Sequence, residues 1–234
     1  MVYDISQELY SCRVYPGDPA PEREVLSRVA EAAVCNLTAL RLCAHNGTHI
    51  DAPYHFIEDG RTVDQLEPEL FLGPAYVYAH EGDLGAEEAE ACLRLGAEAG
   101  AGERLLLRGA CVVTAEAARV FAASPLRLLG VESQTVGPEK APMEVHRILL
   151  GADKVLLEGL RLSAVPEGAY LLSALPLNLG GRGRRPLPGG ADGNVSALCR
   201  PAAASASPSG EAASAVSRKA DDGEGTPVQL GVSL

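Results

Sequence analysis

The chain has 234 residues, 47% of them hydrophobic and 22% charged, which excludes a wholly disordered polymer and supplies enough apolar material for one sizeable core. A formal net charge of −11 disfavours nucleic acid and anionic membrane surfaces as main partners, because both are bound through clustered Lys and Arg. No apolar run reaches the ~18 residues of a transmembrane helix, and the opening MVYDISQELY lacks the basic and apolar regions of a signal peptide, so a cytoplasmic protein without membrane contact is expected.

Apolar runs alternate with Ala-rich helical stretches, the pattern of an α/β fold with a mixed sheet and flanking helices. Strands are predicted at 2–6, 37–43, 75–79, 104–108, 126–131, 154–157 and 170–173, in an order the sequence does not reveal. Helices are predicted at 86–95 and 114–123, the latter opened by Thr114 as N-cap with Glu116 in its first turn, and a short third helix at 145–150. Six cysteines are scattered along the chain without a CxxC pair and read as free thiols. From about Gly180 the character changes: GGRGRRPLPGGADG and PAAASASPSGEAASAVSRKADDGEGTP carry almost no large apolar residues and no period. Such a segment buries too little surface to offset its chain entropy. The chain therefore divides into a folded domain, 1–180, and a low-complexity tail, 181–234, expected to be disordered or to serve as a linker or interaction tail.

Three of the five histidines crowd into the eleven residues HNGTHIDAPYH, 45–55. Gly47, the β-branched Thr48 and Ile50, and Pro53 argue against a helix there. On extended backbone the odd positions share a face, so His45, Gly47, His49, Asp51, Pro53 and His55 point the same way. A straight strand would hold His45 and Asp51 ~20 Å apart, too far to share an ion, so a bulge or tight turn is expected around Gly47. Imidazole nitrogens and a carboxylate suit zinc or manganese, and Asp51, with two oxygens, is the natural bridge between two ions. The competing reading, surface-loop or satisfied core histidines, fits poorly with three His and one Asp on one face.

This segment resembles the HxGTHxDxPxH signature of the cyclase family, whose best-known members are bacterial kynurenine formamidases, or arylformamidases. The likeness extends through VYDIS (2–6), VYPGDP (14–19), LLLR (105–108), GVESQTV (130–136), VHRILLGADKVLLEGL (145–160) and ALPLNLGG (174–181). The resemblance implies a swivelling β/β/α-like fold, a two-ion site held by His45, His49, Asp51, His146 and Glu158, and His55 as the proton-transfer residue. It implies zinc, two ions, with manganese as an alternative, and a homodimer. It further implies hydrolysis of an aryl formamide, most directly N-formyl-L-kynurenine to L-kynurenine and formate in tryptophan breakdown.

Two departures from the family pattern matter. Family members usually carry a tryptophan before Pro-Gly-Asp that packs on the substrate's ring, whereas this chain has Tyr15 and no Trp. Tyr15 either stacks on an aromatic substrate or simply ends a strand beside the Pro16-Gly17 turn. The alternatives are therefore another amide or lactam as substrate, as in isatin hydrolases, or a metal-binding scaffold without turnover. The second departure is GRGRRPLP, where the family continues into a closing strand like GAEGAPCRA. Its codons, read one nucleotide later, permit AEGAAPCR, so a frameshifted ending is a further reading of the tail, and the closing strand is then expected to be missing.

Overall fold

The computed structural model describes residues 1–178, the backbone of 192–194, and 197–202. Its strands are β1 (Tyr3–Asp4), β2 (Glu22–Ser27), β3 (Leu37–Arg41), β4 (His49–Asp51), β5 (Leu72–Ala79), β6 (Gly82–Leu84), β7 (Arg104–Arg108), β8 (Cys111–Val113), β9 (Leu128–Val131), β10 (Val155–Glu158), β11 (Gly168–Ser173), β12 (Asp192–Asn194) and β13 (Leu198–Pro201). The α-helices are α1 (Ala86–Glu98), α2 (Ala115–Ala123) and α3 (Met143–Gly151). Among the described residues, nine strands form one sheet in the order β1-β13-β11-β5-β7-β9-β10-β4-β12. Its centre, β5, β7, β9 and β10, is parallel; β11 joins on one side and β4 on the other, both antiparallel.

The parallel centre follows from sequence that is apolar on both faces. Along β7, Leu105 and Leu107 enter one apolar cluster while Leu106 enters the other, the period-2 alternation of a strand. Leu105 and Leu107 meet Leu129, Leu156 and the inner faces of the helices: Ala89 and Cys92 of α1, Phe121 of α2, Val145 and Leu149 of α3. Leu106 meets Leu128, Leu157, Ile50 and Phe71 on the opposite side. All three helices thus cover one face. The α2 start is as expected, the Thr114 hydroxyl accepting the Ala117 N–H at 3.3 Å.

Each of the seven predicted strands overlaps an observed one, and the mixed α/β reading holds. The pairs β2–β3 and β6–β8 form separate two-stranded sheets. Both faces of β2 and β3 are largely exposed, so their sequences carry no in-and-out pattern to find.

The predicted domain limit at 180 needs correction. β13 pairs antiparallel with both β1 and β11, so Leu198–Pro201 belongs to the main sheet, and β12 extends it beyond β4. A closing strand is present in this reading frame, with Cys199 buried. Residues 198–201 are too few and too mixed to announce a strand; their pairing is set by two distant partners. The remainder of the expected tail, 181–191, 195–196 and 203–234, lies outside the described residues.

Candidate metal centre

The bend expected around Gly47 is present. Asn46 N–H donates to the Cys43 carbonyl at 3.0 Å, and Gly47 sits at φ 67°, a left-handed conformation that side chains disfavour. The chain then straightens into β4, turns again through a 3-10 helix at Pro53–His55, and His55 N–H donates to the Ala52 carbonyl at 2.9 Å. The two turns bring the ends of the segment back together, and the His45 and His55 rings lie 4.6 Å apart, edge to face.

Strand pairing sets the rest. In the antiparallel register of β4 on β10, His49 stands opposite Glu158 and Asp51 opposite Leu156, so these side chains share the face covered by α3. Ile50, one residue out of phase, enters the apolar cluster on the other face with Leu157. From above, α3 lowers His146 between the two carboxylates: its Nε2 is 3.5 Å from Asp51 Oδ2 and 3.3 Å from Glu158 Oε1. His49 Nε2 approaches the other oxygens, 3.6 Å from Asp51 Oδ1 and 3.6 Å from Glu158 Oε2. His45 Nε2 is 4.0 Å from Asp51 Oδ1, and His55 Nε2 is 3.9 Å from Asp51 Oδ2. The structure therefore brings together all six of the residues singled out between His45 and Glu158.

Hydrogen bonds orient the rings. His49 Nδ1 lies 3.0 Å from the Gly47 carbonyl and His146 Nδ1 lies 2.9 Å from that of Pro142. A carbonyl only accepts, so Nδ1 of each ring carries a proton and Nε2 faces the carboxylates. Glu158 Oε1 in turn accepts the Val136 N–H at 2.8 Å.

Asp51 and Glu158 are almost wholly buried. Burial, together with the charge of Asp51, pushes the Glu158 carboxyl up. Burial acts the same way on Asp51, but the hydrogen bond from His146 and the charges of His49, His55 and His45 outweigh it and hold that carboxyl well below the usual range. Burial lowers the His146 imidazole, yet its bonds to Asp51 and Glu158 win and push it up to about 10. His55, a step further out, is lowered by burial more than Asp51 raises it, to about 4, and is neutral at physiological pH. Two buried acids answered by imidazoles make a site for positive charge. Asp51 Oδ1 has no hydrogen-bond partner, which is the state of an acceptor aimed at a cation. His49, Asp51 and Glu158 each offer a ligand atom within 4.8 Å of the others, as do His45, Asp51 and His55, and both sets fit a divalent ion.

The cluster floors a cavity of about 200 Å³ whose wall includes Tyr15, Asp18, Phe56, Gln134 and Thr135. Tyr15 faces it, with its hydroxyl donating to the Glu139 carbonyl at 3.2 Å. Asp18, Phe56 and Gln134 went unremarked in the sequence; Asp18 was legible only as part of the Pro-Gly-Asp turn. Glu132, to which no role was assigned, accepts the N–H groups of Gly109 and Leu162 at 2.6 and 2.7 Å and so clamps two loops. All six cysteines are free thiols.

An α/β sheet carrying a buried His/Asp/Glu cluster defines a class of protein. The Cyclase family model matches residues 3–138, and the chain belongs to that family. Among curated relatives, the kynurenine formamidase of Sphingopyxis alaskensis is 29% identical over 204 residues, spanning 80% of this chain and 95% of that protein. The kynurenine formamidase of Bacillus cereus is 32% identical over 192 residues, spanning 75% of this chain and 90% of that one. Isatin hydrolase A from Labrenzia aggregata, solved with benzyl benzoate, superposes with a TM-score of 0.70 at 22% identity, covering 85% of this chain and 93% of its own. A potential metal-dependent hydrolase with cyclase activity gives a TM-score of 0.68 at 24% identity, covering 85% and 96%. These two share the fold. Among the described residues no helix is long and apolar enough to cross a membrane.

Proposed function

We propose that this chain is a metal-dependent amidohydrolase that cleaves an aryl formamide, with N-formyl-L-kynurenine as substrate and L-kynurenine and formate as products. One observation carries the metal part of the reading. Asp51 and Glu158 each turn one oxygen toward His49 and the other toward His146, so the two carboxylates span two half-sites. Two zinc ions, with manganese as the alternative, would be held by His45, His49, Asp51, His146 and Glu158. A divalent cation there supplies Lewis acidity, acidifying water and drawing charge from the amide carbonyl. The formamidase relatives support the substrate class.

The chain's own residues do the rest. His55, neutral and beside Asp51, takes a proton from the attacking water and passes it to the departing amine as the C–N bond breaks, while the water's oxygen ends on formate. Phe56 packs edge to face on His55 at 4.6 Å and fixes the ring at the rim of the cavity. Tyr15 offers a face to the substrate's aromatic ring from the cavity wall. Tyr15 in place of the family's tryptophan also favours a second reading, a cyclic amide opened by the same chemistry. A homodimer and a cytoplasmic location complete the proposal; the exposed apolar side chains of the β2–β3 arm, Val25, Leu26, Leu37 and Leu40, support the dimer.

Formate release from N-formylkynurenine by the zinc- or manganese-loaded protein tests the reading. In His55→Ala, turnover should fall about 10²–10⁴-fold while bound metal is retained. Metal binding without turnover on any formamide or lactam would leave only a binding protein.

A further inference from the structure

Each of three imidazoles at the centre presents Nε2 to the carboxylates, and each has its Nδ1 against an acceptor. For His49 and His146 that acceptor is a backbone carbonyl. For His45 it is a carboxylate: Asp18 Oδ2 lies 3.5 Å from His45 Nδ1. That oxygen is shielded from solvent and has no hydrogen-bond partner at shorter range, and the imidazole nitrogen is the charged or polar side-chain atom brought within ion-pair distance of it.

Asp18 is held there from two sides. Tyr15, Pro16, Gly17 and Asp18 form a turn closed by Asp18 N–H donating to the Tyr15 carbonyl at 3.0 Å. Proline second and a glycine at φ 102° third are what a type II turn requires. Its two ends, Tyr15 and Asp18, both reach the cavity wall. From the other direction, the wholly buried Asn46, next in sequence to His45, donates from Nδ2 to the Pro19 carbonyl at 3.1 Å and accepts the Cys43 N–H on Oδ1 at 2.9 Å. One amide thus ties the loop of His45 to the exit of the Asp18 turn.

We propose that Asp18 is a positioning residue: it accepts the Nδ1–H of His45 and holds that ring with Nε2 turned to Asp51. A carboxylate in this place also makes Nε2 a stronger donor to a cation than a carbonyl would. The inference rests on the metal reading given above. It also makes a choice, because Asp18, Cys43 and His45 themselves offer three ligand atoms within 4.8 Å of one another. If Nδ1 of His45 donates to Asp18, it cannot also bind an ion shared with Cys43.

The test compares the full chain with Asp18→Asn and Asp18→Ala. Zinc affinity is measured by chelator competition, and the absorption spectrum is recorded with cobalt in place of zinc. The Ala variant should bind zinc about 10–100-fold more weakly, and its cobalt spectrum should change as one ligand reorients. The Asn variant keeps a neutral acceptor oxygen of the same size, so its affinity should fall between the two. Thermal midpoints of the chelated proteins should agree, because the Asp18 side chain is a quarter exposed at a surface turn. An Ala variant that binds zinc as tightly as the wild type overturns the proposal. So does a thiolate-to-cobalt charge-transfer band in the wild type that disappears in Cys43→Ser. A wild-type protein that binds no metal sinks the underlying metal reading instead, and this inference with it.

Discussion

Leu105, Leu106 and Leu107 on β7 are fully buried, and His49, Asp51, His146 and Glu158 are at most 3% exposed. Two regions equally removed from water could hardly differ more in what that removal costs. The leucines gain from leaving water, roughly 1.5–3 kcal/mol each. A carboxylate loses several kcal/mol and recovers it only through partners. The parallel strands are therefore self-sufficient, whereas the cluster at β4, β10 and α3 is complete only with compensating positive charge. The sheet supports the site, and the site contributes little to the sheet.

Substitutions on each side should break this symmetry in opposite ways. The largest effect is expected from Asp51→Asn, which removes the charge that both half-sites share. Metal affinity should fall by more than the ~100-fold upper range seen when only a supporting hydrogen bond is lost, and the ~2.7 kcal/mol of stabilisation expected from zinc at a hundred times its Kd should vanish from thermal scans. Next is Leu106→Ala, which opens a void between β5, β9 and the apolar cluster beyond. Urea unfolding of the chelated protein should show a loss of about 2–5 kcal/mol, with zinc affinity of the folded protein unchanged. An altered affinity would mean that core and site are mechanically coupled, contrary to the comparison. The smallest effect is expected from Val34→Ser: this side chain is fully exposed at the end of the β2–β3 arm, and the monomer's stability should shift by no more than about 0.5 kcal/mol.

How much of this was legible in the sequence depended on where each signal lies. β7 and β10 could be read because a run of apolar residues says the same thing at every position. β4 is legible as extended backbone but not as a sheet strand, since two of its three residues are the polar groups of the site and only Ile50 faces the core. Its chemistry was nevertheless conspicuous, because His45, His49, Asp51 and His55 lie within eleven residues and Gly47 marked the bend. His146 and Glu158 carried no such density and were named through the family resemblance. Asp18 was passed over, as its neighbour in space is 27 positions away in the chain.

The sequence by itself determined the local terms: which runs are strands or helices, where the backbone must turn at Gly47 and Pro16-Gly17, and that one short segment holds more imidazole and carboxylate than chance supplies. Only the tertiary structure decided the pairings. It set His49 opposite Glu158, lowered His146 between two acids, brought Asp18 to His45, and drew residues 198–201 into the sheet between β1 and β11. The physical reason is that hydrophobic periodicity and turn chemistry act over a few residues. Charge compensation and strand register, by contrast, depend on which distant segments the assembled sheet makes neighbours.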